Sequence, residues 1–321
     1  MESDDRSIIE ETLDDLTSSF DGDQLTKALD EFGWTDLMAT DPPVAIAALF
    51  RSQGRHGSWS SGLHDVLATA RVLPGVDPRM SVVVVPRPGS EAPAGARDVV
   101  DGFAICPRPG ATEVVAVRTD ADSCRVLSMP MEDVHMERAS GLDARLELFR
   151  VTGTLEGATV RADGADARAW WGAAVSAGRR ALSFQLCGAM EAITGLAVDH
   201  AIERHQFGRP VGAFQAVRHR LAECRVAQDG ALAAAEAAFD GPEPELSGLV
   251  AKVVAGRAAS VVTTHGQQVL AGIGFTAEHP FHTFLFRVAT LDRLLGSANE
   301  LAPLLGHELV RRGGAVRLVD L

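Results

Sequence analysis

The run Glu203-Arg204-His205-Gln206-Phe207-Gly208-Arg209-Pro210-Val211-Gly212-Ala213-Phe214-Gln215 sets a cation, an amide and an aromatic ring beside a break in a helix-compatible stretch. Gly208 and then Pro210 are ordinary helix-stop signals. Arg204 offers a planar fork of donors that suits a phosphate, and Phe207 offers a flat ring. Such a helix end could hold a phosphorylated, ring-bearing ligand. The same spacing also fits a plain helix corner with a solvated Arg, which is the commoner arrangement. Arg204, Arg209, Arg218, Arg220 and Arg225 crowd this segment of a chain whose net charge is −13. That local reversal of sign suits an anionic ligand, and it equally suits surface ion pairs.

A second run, Gln268-Val269-Leu270-Ala271-Gly272-Ile273-Gly274-Phe275-Thr276-Ala277-Glu278-His279-Pro280, could bring backbone close to a ligand at its glycines. It could also be only a helix-terminating turn. His265, His279 and His282 lie near it without metal-ligand spacing. Cys106, Cys124, Cys187 and Cys224 are far apart and read as buried free thiols.

The elements that must carry these residues come from a 321-residue chain with 46% hydrophobic and 23% charged residues. That is a globular composition with room for several packing units. Its acidity argues against binding nucleic acid or an anionic membrane. The acidic start lacks a leader-like apolar segment, and uninterrupted apolar runs are too short to span a bilayer, so the expectation is a soluble cytoplasmic protein.

Residues 1–75 read as helices. Ile9, Leu13, Leu16 and Phe20 form one amphipathic stripe, and Leu25, Leu29 and Phe32 a second that stops at Gly33. Short helices follow at 44–51 and 63–73. Residues 76–160 read as strands at 81–85 (halted by Pro86), 113–118, 124–129 and 146–152, a small antiparallel barrel or sandwich. No Gly-rich phosphate fingerprint accompanies them. Residues 161–321 read as helices over 169–205, 214–239, 245–270, 282–295 and 301–312, which should pack as an antiparallel bundle.

This order, with the two motifs, resembles the acyl-CoA dehydrogenase family. Residues 203–217 look like its "eR-x-qFGrpi-x-x-fQav" signature, and residues 268–280 are similar to "Q-x-h-GG-x-Gf-t-x-ehp". The resemblance implies an α+β fold: a shortened N-terminal helical domain (1–75), a small central β domain (76–160) and a C-terminal helical bundle (161–321). It implies FAD shared across a subunit boundary. Arg204 would contact the pyrophosphate, and Gln206 and Phe207 would lie against the same cofactor. Gln268 and the backbone at Gly272 would approach its adenine half, and Ser297 joins these candidate contacts.

The family's reaction needs a carboxylate to take a proton beside the thioester carbonyl. Its two usual places fall here on Leu295, which precedes Gly296-Ser297, and on Gly178, so no catalytic residue is assigned. The loops that hold the flavin ring in the family correspond to Val84-Val85-Pro86 and a shortened Pro107-Arg108-Pro109-Gly110. The chain therefore looks like the non-catalytic subunit of the α2β2 acyl-CoA dehydrogenases that actinobacteria use on steroid side-chain CoA thioesters. A catalytic paralogue would supply the Glu and bind the acyl-CoA. The alternatives are a homo-oligomeric enzyme using Glu300, Glu191 or Glu278 as base, and a structural pseudoenzyme without flavin.

Overall fold

The computed structural model describes residues 3–95, 98–120, 123–141, 143 and 145–314. The chain opens with helices α1 (Ser3–Ser19), α2 (Gly22–Phe32), α3 (Trp34–Thr40), α4 (Pro42–His56) and α5 (Gly62–Thr69). Helix α2 ends at Gly33 as expected, with Gly33 in the left-handed conformation (φ 90°). Helix α3 was not anticipated. Helix α4 is longer than the expected 44–51, because Asp41 caps it from before Pro42 and because Gly54 does not break it. A Cβ on Gly54 would lie 2.0 Å from the Gln185 carbonyl oxygen, and one on Gly188 1.8 Å from that of Arg51. These glycines are where α4 meets α6 (Gly164–Glu203) backbone to backbone.

The central strands are β1 (Ser81–Val83), β2 (Val85–Pro86), β3 (Val99–Ile105), β4 (Glu113–Thr119), β5 (Cys124–Pro130), β6 (His135–Arg138), β7 (Leu148–Thr154) and β8 (Thr159–Asp163). They form two four-stranded sheets, ordered β1-β4-β5-β8 and β2-β3-β7-β6. The chain changes sheet at Val84. Val82 and Val84 face the core between the sheets, while Val83 and Val85 face the core shared with the helices. Burial on both faces explains the unbroken apolar run there. Three expectations are corrected. β1 and β4 pair in parallel, so the sheets are not purely antiparallel. Pro86 is itself the last residue of β2, opposite Gly102, so the strand ends on the proline rather than before it, and the run divides at Val84. β3, β6 and β8 escaped the sequence pattern: Asp101-Gly102 interrupts β3, and β6 and β8 are polar and largely exposed.

The remaining helices are α7 (Gln215–Asp240), α8 (Pro244–Leu270), α9 (Phe281–Arg293) and α10 (Ala298–Arg312). Helix α6 packs most extensively on α8 and α4, and α7 on α8. By length and composition α6 and the segment 244–275 could each cross a membrane, contrary to the expectation drawn from uninterrupted runs. In each, 67% of the apolar window is buried inside the protein, as in a core helix.

One buried cation ties these parts together. Arg287 on α9 donates through Nε to Asp143 and through Nη1 to the Ser58 carbonyl oxygen (3.2 Å), and it stacks over Trp59 at 4.4 Å. Burial pushes its pKa down, against the pull of Asp143. Asp143→Ala would strand this cation and should cost about 3–5 kcal/mol in urea unfolding, whereas an Arg287→Met/Asp143→Leu double variant should cost less. Equal losses in the two would refute this account.

Candidate functional site

The break after α6 is more structured than a helix corner. Helix α6 ends at Glu203, and Arg204 leaves it in extended conformation (φ −77°, ψ 119°). His205-Gln206 then pairs with Arg209-Pro210 as a two-residue hairpin, with Phe207 (φ 53°) and Gly208 (φ 77°) at its tip. Two successive positive φ angles are what a tight hairpin turn demands. The tip lifts Phe207 into solvent at 91% exposure, edge-on to Phe214, over which the Arg209 guanidinium stacks at 4.2 Å. Arg220 bonds His265 and Arg225 pairs with Asp229, so part of the Arg cluster is ordinary surface pairing. His265 also meets Glu223. Among the described residues, no hydrogen bond or ion pair engages the Arg204 side chain.

Arg204, Gln206, Phe207 and Gly272 line one open groove of about 670 Å³, whose floor includes Val211, Val217 and Val269. The two sequence motifs therefore meet in space. A Cβ on Gly272 would point into open space, and its φ is not left-handed. Gly274 differs: a Cβ there would lie 2.6 Å from Gln267 Nε2 and 3.0 Å from Leu270 Cβ. Gly274 is the tighter position, with Leu270 Cβ in close approach and the Gln267 amide having to move aside for a Cβ, whereas the bare backbone at Gly272 leaves room for a ligand. Gln268 is exposed on α8 and is not part of the groove lining. Ser297 is absent from that lining too; its hydroxyl and the Glu300 carboxylate form the reciprocal cap of α10.

The two places where a base was sought, Leu295 and Gly178, touch each other. A Cβ on Gly178 would lie 2.5 Å from Leu295 Cδ1 and 2.9 Å from Leu67 Cδ2. The Leu295 side chain occupies the space that Gly178 vacates, and the contact is apolar. Leu295 sits in a turn after α9 with φ 56°, followed by Gly296 at φ 96°. Two cations that sequence reasoning missed hold this turn. Lys252, fully buried on α8, donates to the carbonyl oxygens of Asp292 (2.8 Å) and Gly296 (3.1 Å). Arg179, next to Gly178, donates through Nε to the Leu295 carbonyl oxygen (3.0 Å). The available signal was that Lys252 and Lys27 are the only lysines and Lys252 interrupts an apolar stretch.

The expected ring-holding loops have other duties. Val84 and Val85 are fully buried in the sheets. Arg108 folds its loop onto the N-terminal helices, bonding Asp30 (2.6 and 2.8 Å) and Asp65 (2.9 and 3.1 Å). Asp65 also accepts from the Trp34 indole at 3.0 Å. Nearby, Ile105 N–H donates to His64 Nε2 (3.3 Å), and burial holds that imidazole neutral with its pKa down to about 4.

The acyl-CoA dehydrogenase C-terminal domain family matches residues 170–305. The chain carries an acyl-CoA dehydrogenase C-terminal domain. Acyl-CoA dehydrogenase IpdE2 of Mycobacterium tuberculosis is 35% identical over 128 residues, 40% of this chain and 40% of that protein. Acyl-CoA dehydrogenase FadE27 of the same organism is 30% identical over 183 residues, covering 50% of this chain and 46% of its own length. These curated relatives are thus matched over less than half of their length. Among solved structures, the Tcur3481-Tcur3483 steroid ACAD superposes with TM-score 0.75 at 20% identity over 97% of this chain and 98% of that one. The ChsE4-ChsE5 complex from Mycobacterium tuberculosis gives 0.76 at 16% identity, over 97% and 98%. The whole described architecture is therefore the α+β acyl-CoA dehydrogenase fold.

Within this dehydrogenase domain the acids weighed as bases are otherwise engaged or exposed. Glu191 meets Arg51 (2.6 Å) and Arg55 (3.0 Å). Glu300 accepts from the Ser297 backbone and hydroxyl, both at 2.8 Å, which lowers its pKa and makes it a weaker proton acceptor. Glu278 is exposed between the end of α8 and α9.

Two measurements check these assignments. In thermal unfolding, Gly274→Ala should lose about 1–3 kcal/mol through overpacking, while Gly272→Ala should stay within about 0.5 kcal/mol of the parent. Burial pushes the Lys252 ammonium down to about 8 from 10.5. Between those values the unfolded chain holds a proton that the folded chain has released, so this group makes stability rise with pH there. Relative to Lys252→Met, the parent should gain stability from pH 8 to 10.5; a flat difference would contradict the assignment.

Proposed function

We propose that this chain is a base-less subunit of a flavin-dependent acyl-CoA dehydrogenase that completes the FAD site of a catalytic paralogue. The observation that carries the reading is the Leu295 side chain packed on Gly178, where a carboxylate would have to stand, in a chain whose Arg204–Gly272 groove remains open outward. A buried Leu cannot accept a proton. The groove residues fit one part of a dinucleotide: the Arg204 fork would take pyrophosphate oxygens, the bare Gly272 backbone permits close approach, and Phe207 offers a ring face. Bound flavin would supply the hydride acceptor. This chain's residues would orient that cofactor and exclude water around it, and the partner would supply the base, the ring-holding loops and the acyl-CoA site.

Two further observations support a hetero-oligomer. The loop carrying Arg108 is bound to Asp30 and Asp65, which removes it from any role around a flavin ring of its own. The two superposable structures named above carry paired names, one of them described as a complex and the other as a steroid ACAD. By that analogy the assembly is an α2β2 heterotetramer, the substrate is a steroid side-chain CoA thioester, and the compartment is the cytoplasm.

Purification of the chain alone and with its paralogue tests the reading. Flavin and dehydrogenase activity should appear only in the mixture. In that mixture Arg204→Ala should weaken flavin retention roughly ten- to hundredfold, the equivalent of one charge-assisted hydrogen bond. Full activity from this chain alone, or flavin retention unmoved by Arg204→Ala, would overturn it.

A further inference from the structure

The groove that unites the two motifs holds one more polar side chain, His200. It lies one turn before Arg204 on α6, and its carbonyl oxygen accepts the Arg204 N–H (2.9 Å) that closes the helix. Its half-buried imidazole lines the groove together with the Arg204 guanidinium. Among the described residues, no hydrogen bond or ion pair engages that ring. A neutral imidazole has one donor and one acceptor nitrogen, and a charged one has two donors.

The groups around His200 are short of negative charge. Arg204 faces it from its own helix, and His279 from the connection between α8 and α9. His279 accepts the Phe281 N–H on its Nδ1 (3.2 Å), which fixes it as a neutral ring with the proton on Nε2. His282 is turned onto the His279 carbonyl oxygen (2.7 Å). In the hairpin, His205 bonds the Glu203 carbonyl oxygen and Arg209 stacks on Phe214. Glu203 acts on His200 in the opposite sense, but it is exposed. From the hairpin through the start of α7 to the end of α8, the groove lining is otherwise apolar, amide or bare backbone and includes no carboxylate. Partial burial, then His279 and Arg204, pushes the His200 pKa down, so its ring is neutral at pH 7 in the free chain. An anion in the groove reverses that balance, because an opposite charge within about 4–6 Å favours the charged form.

We propose that His200 is a second ligand of the flavin diphosphate and takes up a proton as the cofactor binds, so that this chain holds flavin more tightly as the pH falls. The inference rests on the flavin reading of the groove. Arg204 is charged at every working pH and supplies one fixed cation. His200 supplies a second only when the ligand is present, which spares the free chain two adjacent positive charges. The proton comes from solvent and stays on the imidazole, whose two N–H groups then both donate; no covalent bond is made or broken. The sign follows from linkage: between the two pKa values the complex holds a proton that the free chain lacks, so affinity rises as pH falls through that interval.

Calorimetric titration of the flavin-stripped complex of this chain and its paralogue with FAD tests this, in phosphate-free buffers of different ionisation enthalpy. The parent should take up a proton on binding at pH 7, and its Kd should fall about tenfold from pH 8 to pH 6. His200→Gln can donate a hydrogen bond but cannot gain charge. It should lose the proton uptake and most of the pH slope, with its deficit against the parent largest at pH 6. His200→Lys, positive across this range, should bind FAD tightly at both pH values. Arg204→Ala separates the two ideas. If it weakens FAD binding while His200→Gln leaves proton uptake and slope unchanged, the role of His200 is refuted and the flavin reading stands; if Arg204→Ala has no effect, both fall. Binding by the parent without proton uptake also overturns the proposal, and it decides the matter if His200→Gln does not assemble.

Discussion

A guanidinium buried among apolar neighbours must find its counter-charge and its acceptors from wherever the chain can bring them. Arg287 finds them in three distant segments: Asp143 in the β6–β7 connection, the carbonyl of Ser58 after α4, and the ring face of Trp59. Leaving out Asp143 would strand a charge away from water. The requirement fixes α9 against both the helical N-terminal part and the sheets. With α9 fixed, the turn that follows it is fixed as well, and so is the place where Leu295 meets Gly178. Lys252 and Arg179 complete that definition by taking up carbonyl oxygens of the turn.

The electrostatics of that turn are the reverse of what proton abstraction needs. A general base must be an anion, or become one at working pH, close to the reacting carbon. Here two cations take up the turn's carbonyl oxygens, and the two acids beside it are already engaged: Glu300 caps α10, and Asp292 accepts from the Ala298 N–H (3.1 Å) and faces the Lys252 ammonium (3.8 Å). On the proposed reading, the missing base is thus not a single substitution in an otherwise intact site. Its surroundings are arranged around main-chain carbonyls and a leucine.

The helical bundle was legible because its amphipathic periodicity, caps and Gly/Pro stops agree with one another. The two motifs were legible as belonging together, and the groove of Arg204, Gln206, Phe207 and Gly272 unites them. What stayed hidden has physical causes. The hairpin at residues 205–210 has strands of two residues each, too short for any periodicity. The expected helix stopped at residue 51, short of Gly54, because a glycine's role in helix–helix contact depends on a partner 134 positions away in α6, Gly188. β6 and β8 are polar edge strands whose pairing is backbone-driven. Arg108, Arg179 and Lys252 gained their duties from tertiary contacts that no local pattern encodes. Gln268 and Ser297, carried over on resemblance, fall outside the groove.

The hairpin tip has a cost beyond recognition. Phe207 is 91% exposed, and Phe275, in the turn after α8, is 79% exposed, with Ile202 at 63% in the last turn of α6. Apolar side chains gathered at one end of a bundle are the kind of surface that sticks to its own kind and attracts chaperones and proteases. A copy of this chain left uncovered is an aggregation hazard, and the cell that makes it gains from matching its synthesis to that of whatever covers it. Dosage balance, on this view, is written into the tip of a six-residue hairpin.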